Sequence, residues 1–173
     1  MKKYELTEET VTVYGKTLYR IRAVRDFGSV KTGEFGGYIE KEENLSHFGD
    51  AWVYGDARVF DNARVSENAW VYGDARVFDN ARVSGNAWVY GNAEVFNTRH
   101  FFVQGPIGSR DGYVTFYRTK DDTVEVRCGC FSGSLQKFVN QVEETHGGSR
   151  YEKEYKLAAE LAKVCIRLEG ESR

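Results

Sequence analysis

The hydrophobic and polar positions between Gly49 and Phe96 repeat every six residues, in the order turn, turn, Ala, variable, Val, variable. Within each hexad, Ala and Val alternate with larger side chains, which is the pattern of a short strand with one buried face. Gly, Asp and Asn fill most turn positions, and these residues tolerate the left-handed backbone of a tight corner. Three hexads, or eighteen residues, therefore predict one triangular coil whose strands stack in parallel on those of the next coil.

The same eighteen residues occur almost twice in succession. Gly49–Ser66 reads GDAWVYGDARVFDNARVS, and Glu67–Ser84 differs from it only at the first two positions. A third copy, Gly85–Phe96, begins in the same way and then fades. The segment is therefore predicted to be a short parallel β-helix with Ala and Val pointing inward.

One degenerate hexad precedes the strict repeat. Glu43–Phe48 reads ENLSHF, and its Asn44 aligns with Asn62 and Asn80 at the second turn position. This alignment places His47 in the slot that Val occupies in the other hexads. With this hexad included, nine hexads predict about three coils.

Side chains that point outward stack into rows, because equivalent positions recur one coil apart. Two of the three faces carry aromatic rows, which is far more apolar surface than a solitary soluble prism exposes. We expect flanking segments or further subunits to cover these rows, and the alternative is a platform on which flat ligands stack beside Arg. The first face carries the predicted oligomer interface, Trp52, Trp70 and Trp88 beside Tyr54, Tyr72 and Tyr90. The second face carries Arg58, Arg76 and Glu94 beside Phe60, Phe78 and Phe96, and the third carries Arg64 and Arg82 beside Ser66 and Ser84.

The segment before the repeat is predicted to be a β cap. Its β-rich runs at Thr10–Val13 and Thr17–Val24 predict a hairpin, and Gly33–Glu40 (GEFGGYIE) is expected to be an entry loop. Such a cap blocks the open strand edges at one end of a coil. We assign residues 1–42 to the cap, residues 43–102 to the β-helix and residues 103–173 to a C-terminal α+β domain.

The C-terminal domain is predicted to contain a small β-meander followed by two helices. Phe101–Gln104, Tyr113–Thr119 and Thr123–Cys128 have the composition of strands. An apolar stripe along Ser134–Thr145 predicts the first helix, and a second helix is expected at about Tyr151–Leu168. The predicted fold class is thus mainly β, with an N-terminal β cap, a short β-helix and an α+β appendage.

Two connections in this appendage predict a phosphate-binding site. GPIGSR ends in Arg110, whose guanidinium can pair with a phosphate in bidentate geometry. GCFSGS is expected to be a strand-to-helix loop with free backbone N–H groups at the positive end of the first helix, although its Ser residues are also candidate helix caps. Tyr117, on the adjoining predicted strand, would either stack on a base or pack in the core. The predicted ligand-binding residues are Ser109, Arg110, Tyr117, Gly129, Cys130, Ser132, Gly133 and Ser134.

Composition excludes several classes of function. The net charge is −2, and the repeat itself holds four Arg, five Asp and two Glu, so binding to long nucleic acid or an anionic membrane is not expected. The start, MKKYELTEET, lacks the apolar core of a signal peptide, and no run approaches the length of a membrane span. Three Cys, an odd number, favour reduced thiols in the cytosol. No second Cys/His pair lies near Cys128-Gly129-Cys130, so neither a metal nor another cofactor is expected.

The hexads resemble those of the hexapeptide-repeat proteins, which fold as left-handed parallel β-helices and are best known as acyltransferases. This resemblance implies left-handed coiling, an exception to the usual right-handed crossover. It also implies one alternative activity, acetyl transfer from acetyl-CoA by a catalytic His, for which His47 and His100 are the residues to test. No loop interrupts the hexads to carry a catalytic arm, and we predict no catalytic residue.

Nearly the whole chain also resembles small proteins encoded by bacteriophages and prophages. The resemblance is carried by TLYRIRAVRDFGSVKTGEFGGYIEKEENLS, by the hexads and by the tail GSRDGYVTFYR…CGCFSGSLQKFVNQVEETHG. Phage proteins of oligomeric, non-catalytic kind include sponges that sequester cyclic-nucleotide or ADP-ribose-type immune signals of the host. The resemblance implies a homo-oligomer in the bacterial cytoplasm that binds a small phosphate-bearing ligand without turnover. Besides the acyltransferase, a purely structural assembly protein is the second alternative to this ligand-binding function.

Overall fold

A computed structural model describes residues 1–169 of the chain. The chain divides into two compact units, Met1–Thr98 and a second unit that begins at Arg99. This boundary lies before the predicted one at residue 102, because Phe101 and Phe102 already pair with Tyr117 and Phe116 in the sheet of the second unit. The predicted cap and β-helix together form the first unit.

The first unit begins with the predicted hairpin, whose strands are β1 (Tyr4–Val13) and β2 (Lys16–Ala23). The predicted entry loop is instead a strand, β3 (Phe35–Ile39), which pairs antiparallel with β2 and parallel with β5 (Arg58–Val59). Gly37 fits this close pairing because a Cβ on it would lie 2.5 Å from the carbonyl oxygen of Ala57. The coil therefore begins one strand earlier than the hexad pattern predicts.

Eight two-residue strands, β4 to β11, form a solenoid of about three turns. They lie in three faces, and equivalent residues pair in register eighteen positions apart, as Trp52 does with Trp70. The first face is β10-β7-β4, the second continues β1-β2-β3-β5-β8-β11, and the third is β6-β9. The strands are Trp52–Val53, Arg58–Val59, Arg64–Val65, Trp70–Val71, Arg76–Val77, Arg82–Val83, Trp88–Val89 and Glu94–Val95.

The interior of the solenoid contains the Ala and Val of each hexad, as predicted. Every one of these residues from Ala51 to Val95 is at most 1% exposed. The first turn residue of each hexad has a positive φ, between +52° and +78°, and Asp61, Glu67 and Asp79 adopt it without being glycine. Short side chains inside and left-handed corners outside thus produce the triangular coil.

The predicted phase of the first hexad is wrong by two residues. Leu45 pairs with Val65 and therefore occupies a Val slot, so His47 lies beyond it. Asn44 does not align with Asn62, because its buried side-chain amide donates to the carbonyls of Asp61 (3.1 Å) and Ala63 (2.8 Å). The side-chain amide of Asn44 thus bonds the carbonyls that backbone N–H groups bond in the next coil, as Asn62 and Arg64 do with Asp79 and Ala81.

Residues that precede the strict repeat supply donors to the first coil on each face. On the second face these donors are the backbone N–H groups of Tyr38 and Glu40. On the first face the buried Lys3 Nζ donates to the carbonyls of Gly49 (3.3 Å) and Ala51 (2.7 Å). On the third face Asn44 has this role. The carbonyls at the open end of the coil are thereby satisfied, as buried backbone groups must be.

The second unit is an antiparallel four-stranded sheet with two helices. Its strands, in the order β12-β13-β14-β15, are Phe101–Ile107, Gly112–Arg118, Val124–Cys128 and Phe131–Ser134. The helices, α1 (Leu135–His146) and α2 (Arg150–Cys165), begin and end within a few residues of the predicted bounds. They share one core with the sheet, which includes Val114, Phe116, Val126, Phe138, Val142, Ala158, Ala159, Ala162 and Ile166.

Candidate functional site

The structure brings only part of the two predicted phosphate-binding connections together. The turn around Ser109 joins β12 to β13, and the turn Gly129-Cys130 joins β14 to β15, so both lie at one end of the antiparallel sheet. Ser134 ends β15 and caps α1, with its hydroxyl accepting from Lys137 N–H (3.3 Å), so it lies at the opposite end. The capping alternative for Ser134 is therefore confirmed.

The predicted strand-to-helix loop is largely a strand. Phe131 to Ser134 form β15, in which Ser132 pairs with Arg127 and Gly133 with Val126. A backbone that is paired along a sheet does not form a loop of free N–H groups around an anion. The predicted loop is therefore replaced by a paired strand that leads directly into α1.

Two further features act against a ligand at the predicted place. Tyr117 is fully buried, so of its two predicted roles only the one within the core fits. The N–H of Gly108, in the predicted Arg110 loop, already donates to the Glu154 carboxylate (2.7 Å). Ser109, Arg110 and Cys130 are exposed.

The predicted oligomer interface on the first face is only partly accessible. Trp52 is 0% exposed, because Phe27 (ring centroids 5.2 Å apart) and Tyr4 (6.3 Å) of the cap cover it. Trp88, two coils further on, is 42% exposed. Trp52 is therefore wrong as an interface residue, since its own chain covers it. The remaining predicted residues are half-buried (Trp70, Tyr72 and Tyr90) or exposed (Tyr54).

The cap also covers part of the second face. Phe60 is buried in a cluster with Leu18 and Tyr38, and Tyr14 lies against both Phe60 and Phe78. Covering of an aromatic row by a flanking segment was one of the two expectations for these faces. It is confirmed for Trp52 and Phe60.

The third face carries an open groove. Its volume is about 530 Å³. The Ser residues 46, 66 and 84 form one column across three successive rungs, because Leu45 pairs with Val65 and Val65 with Val83. The groove is lined by Glu42, Glu43, Leu45, Ser46, His47, Phe48, Arg64, Val65, Ser66, Glu67, Arg82 and Ser84.

Arg64 and Arg82 lie side by side in this groove. They are paired in register on neighbouring parallel strands, so their backbones are about 4.8 Å apart. Both side chains are exposed, and within residues 1–169 neither guanidinium has an ion pair or a hydrogen bond. Two adjacent guanidinium groups without a carboxylate partner repel each other, and a bound anion would relieve that repulsion.

Three carboxylates line the groove, and one of them, Glu42, has an ion-pair partner. The Lys2 ammonium is hydrogen-bonded to Glu42 and holds the pKa of that carboxyl below its usual value. The Glu67 carboxylate accepts the N–H of Gly85 (2.7 Å). Glu43 is exposed and has no ion-pair partner among the described residues. Among the described residues, the groove therefore holds two guanidinium groups without an ion pair, Arg64 and Arg82, and two carboxylates without one, Glu43 and Glu67.

The segment Ser46–Phe48 forms one side of the groove. The Ser46 hydroxyl accepts from the N–H of Phe48 (3.0 Å) and donates to its carbonyl (3.2 Å). The next ring along the chain, His47, stacks on Tyr4 (4.3 Å), while Phe48 is 81% exposed. The period of the hexads revealed the Arg and Ser rows, but it did not reveal this side of the groove.

Neither histidine considered for catalysis presents a free base. Nδ1 of His47 accepts the N–H of Lys3 (3.2 Å), and its Nε2 is buried and lies 3.7 Å from the Glu42 carboxylate. His100 is 7% exposed, and burial lowers its pKa to about 4. Neither histidine therefore presents an exposed ring nitrogen that could act as a general base.

The part of the chain that the structure describes contains no helix long and apolar enough to cross a bilayer. No curated protein matches the chain. Residues 51–67, 57–73 and 75–91 match a family model described as the YdcK beta solenoid repeat. These residues lie within the coil formed by β4 to β11. The chain is therefore a β-solenoid repeat protein, and the left-handed coiling implied by the hexapeptide resemblance stays a prediction.

Proposed function

We propose that this protein binds a small phosphate-bearing ligand in the groove of the third face and does not turn it over. The observation that carries the proposal is the pair of exposed guanidinium groups of Arg64 and Arg82, which have no partner in the described chain. The groove differs from the site predicted in the second unit, but the chemistry of the ligand is the same.

Phosphate fits this pair better than other anions do. Guanidinium groups bind phosphate oxygens through two parallel N–H bonds, and two of them one strand apart can hold one phosphate between them. The hydroxyl groups of Ser66 and Ser84 lie two residues further on and can donate to the same oxygens.

The environment of the histidines supports a ligand that is held and not converted. A general base must reach the proton that it abstracts, and both nitrogens of His47 face its own chain. In its most specific form, the proposal is that the protein sequesters an immune nucleotide of the bacterial host. That form rests on the resemblance to phage and prophage proteins and includes a cytoplasmic location.

Calorimetric titration with inorganic phosphate at low ionic strength tests the proposal. We expect saturable binding that weakens as salt is added, because exposed charges are screened over about 8 Å at physiological ionic strength. Replacing both arginines (R64A with R82A) should reduce affinity at least tenfold while leaving the unfolding transition unchanged, since both side chains are exposed.

The matched control is Arg110→Ala, which removes an exposed arginine at the site predicted from sequence. Equal binding by this variant and the wild type is the expected result. If R110A loses binding and the double variant keeps it, the ligand lies in the second unit. If phosphate and nucleotides do not bind the wild type, the proposed function is wrong.

Self-association is a second proposed property, and the exposure of Trp88 (42%) and Tyr54 (47%) favours it. Large aromatic side chains at the centre of an interface contribute much of its affinity. Sedimentation of the wild type should therefore give a mass above that of one chain. Trp88→Ser with Tyr54→Ser should lower this mass, whereas a wild type that is monomeric at high concentration would exclude the interface.

A further inference from the structure

We infer that the ligand of the third-face groove is a phosphate monoester of an aromatic group, such as a nucleoside monophosphate, whose ring lies against Phe48. This inference rests on the proposed function and adds the identity of the part that is not phosphate. The juxtaposition that carries it is an exposed aromatic ring and two unpaired arginines in one groove.

None of the described residues 1–169 covers the ring of Phe48. Phe48 is 81% exposed, although the residues before it, Ser46 and His47, are held by hydrogen bonds and by stacking on Tyr4. Leu45, three residues earlier, is buried in the solenoid. A flat apolar surface held in water is the usual feature of a stacking site.

The ring of Phe48 is presented by a fixed backbone. Ser46 bonds both the N–H and the carbonyl of Phe48, which closes a tight local turn. His47 is held by stacking on Tyr4 and by the Lys3 N–H, and Arg25 Nη2 donates to its carbonyl (3.5 Å). A preorganised ring loses little freedom when a ligand stacks on it.

The aromatic ring and the two arginines belong to successive strand layers of the third face. Ser46, Ser66 and Ser84 follow one another across the third face, at rung spacings of about 4.8 Å. Phe48 lies beside the first rung, and the arginines lie on the second and third. A volume of about 530 Å³ is within the range of small-molecule sites. The groove therefore fits one mononucleotide better than a polymer.

Three probes distinguish the aromatic part of the ligand from its phosphate. Adenosine 5′-monophosphate has both, ribose 5-phosphate has the same phosphate without the base, and inorganic phosphate has the phosphate alone. Stacking of one base contributes about 1–3 kcal/mol, or roughly 5- to 150-fold in affinity. We expect the wild type to bind the nucleotide at least fivefold more tightly than ribose 5-phosphate.

Phe48→Ala should remove this preference and leave the affinity for inorganic phosphate unchanged. Phe48→Trp should restore the preference, because it again supplies a ring. Both variants should unfold like the wild type, since the side chain is mostly in water.

Each contrary outcome identifies a different error. If the wild type binds phosphate but has no preference for the nucleotide, the inference is wrong while the proposed function stands. If Phe48→Ala weakens inorganic phosphate as much as the nucleotide, the ring shapes the groove and does not contact a base, so the inference is again wrong. If no probe binds the wild type, both proposals fail.

Discussion

The two nearly identical copies, Gly49–Ser66 and Glu67–Ser84, share one backbone and one interior but have different surroundings. Their Ala and Val residues are equally buried. Trp52 is fully buried, whereas its counterpart Trp70 is only half-buried. The cap buries Trp52 and Phe60 of the first copy, whereas Tyr14 of the cap only touches Phe78 of the second. Equal sequences thus have unequal importance for stability, because burial depends on what packs against them.

The copies also differ in what bonds their carbonyl groups. In the second copy the carbonyls of Glu67 and Ala69 accept the N–H groups of Ala51 and Trp52 in the coil before. In the first copy the equivalent carbonyls accept the Lys3 ammonium instead. A repeat can satisfy its interior by repetition, but its first coil needs residues from outside the repeat.

Substitution of equivalent tryptophans should give the largest difference between the copies. Trp52→Ala should lower the free energy of unfolding by about 3–5 kcal/mol, because it removes a fully buried ring and leaves a cavity. Trp88→Ala, the same change at an exposed position, should cost less than about 1 kcal/mol, with Trp70→Ala between the two. Urea unfolding monitored by circular dichroism measures all three.

Far-ultraviolet spectra of the folded variants serve as the control that the coil persists. Equal destabilisation by the three substitutions would contradict the idea that the cap makes the first copy different.

Asparagines of the third face should give the next largest difference. Asn44→Ala should cost about 2–4 kcal/mol, since it leaves the carbonyls of Asp61 and Ala63 without their buried donor. Asn62→Ala removes an exposed side chain with only a long contact to Asn80 (3.4 Å) and should change stability by about 0.5 kcal/mol or less. The same urea experiment compares them.

A cost for Asn62→Ala as large as that for Asn44→Ala would show that the amides support the turns and do not cap the coil. Asn44→Asp is a further check, because a carboxylate facing two carbonyls should destabilise at least as much as Ala.

The Lys3 ammonium should produce the smallest effect, a dependence of stability on pH. Burial lowers its pKa to about 8 from 10.5, with the Arg25 charge adding to the shift. The unfolded chain therefore binds more protons than the folded chain between about pH 8 and 10.5, and stability should rise with pH in this window. We expect an increase of about 1–3 kcal/mol in the free energy of unfolding.

Tyr4 opposes this trend at the upper end. Burial raises its pKa, so above about pH 10 the unfolded chain loses a proton that the folded chain keeps, and stability should fall again. The variant Lys3→Met should lose the increase in the free energy of unfolding between pH 8 and 10.5 and keep the decrease above about pH 10. The assignment would be contradicted if Lys3→Met had the same pH dependence as the wild type between pH 8 and 10.

The solenoid was predictable from sequence because its structure is local and repeated. The buried Ala and Val, the left-handed corners and the in-register strand pairs recur in every coil, so the eighteen-residue period predicts them. The first hexad was predicted two residues out of phase because Asn44 was taken for a turn residue. Its buried side chain instead bonds two carbonyls of the next coil. The strand β3 was taken for a loop because its glycines serve close packing.

The site was less predictable, for a different reason. The rows of Arg64 and Arg82 follow from the repeat, but the sequence does not show which row is covered and which is open. Ser134 lies at the opposite end of the sheet from the Arg110 turn, because β15 runs from the Gly129-Cys130 turn, at the Arg110 end, to the start of α1. Which end of the sheet a residue reaches depends on how the strands pair, and the sequence pattern alone does not give that.

The sequence by itself determined the coil, its interior and the positions of its outward rows, because each hexad folds under the same short-range constraints. Only the tertiary structure decided that Trp52 is core while Trp88 is surface, that Lys3 and Asn44 complete the first coil, and that Phe48 lines the same groove as Arg64 and Arg82. The physical reason is that burial and pairing are set by segments distant in the chain, and identical residues acquire different roles when only one of them is covered.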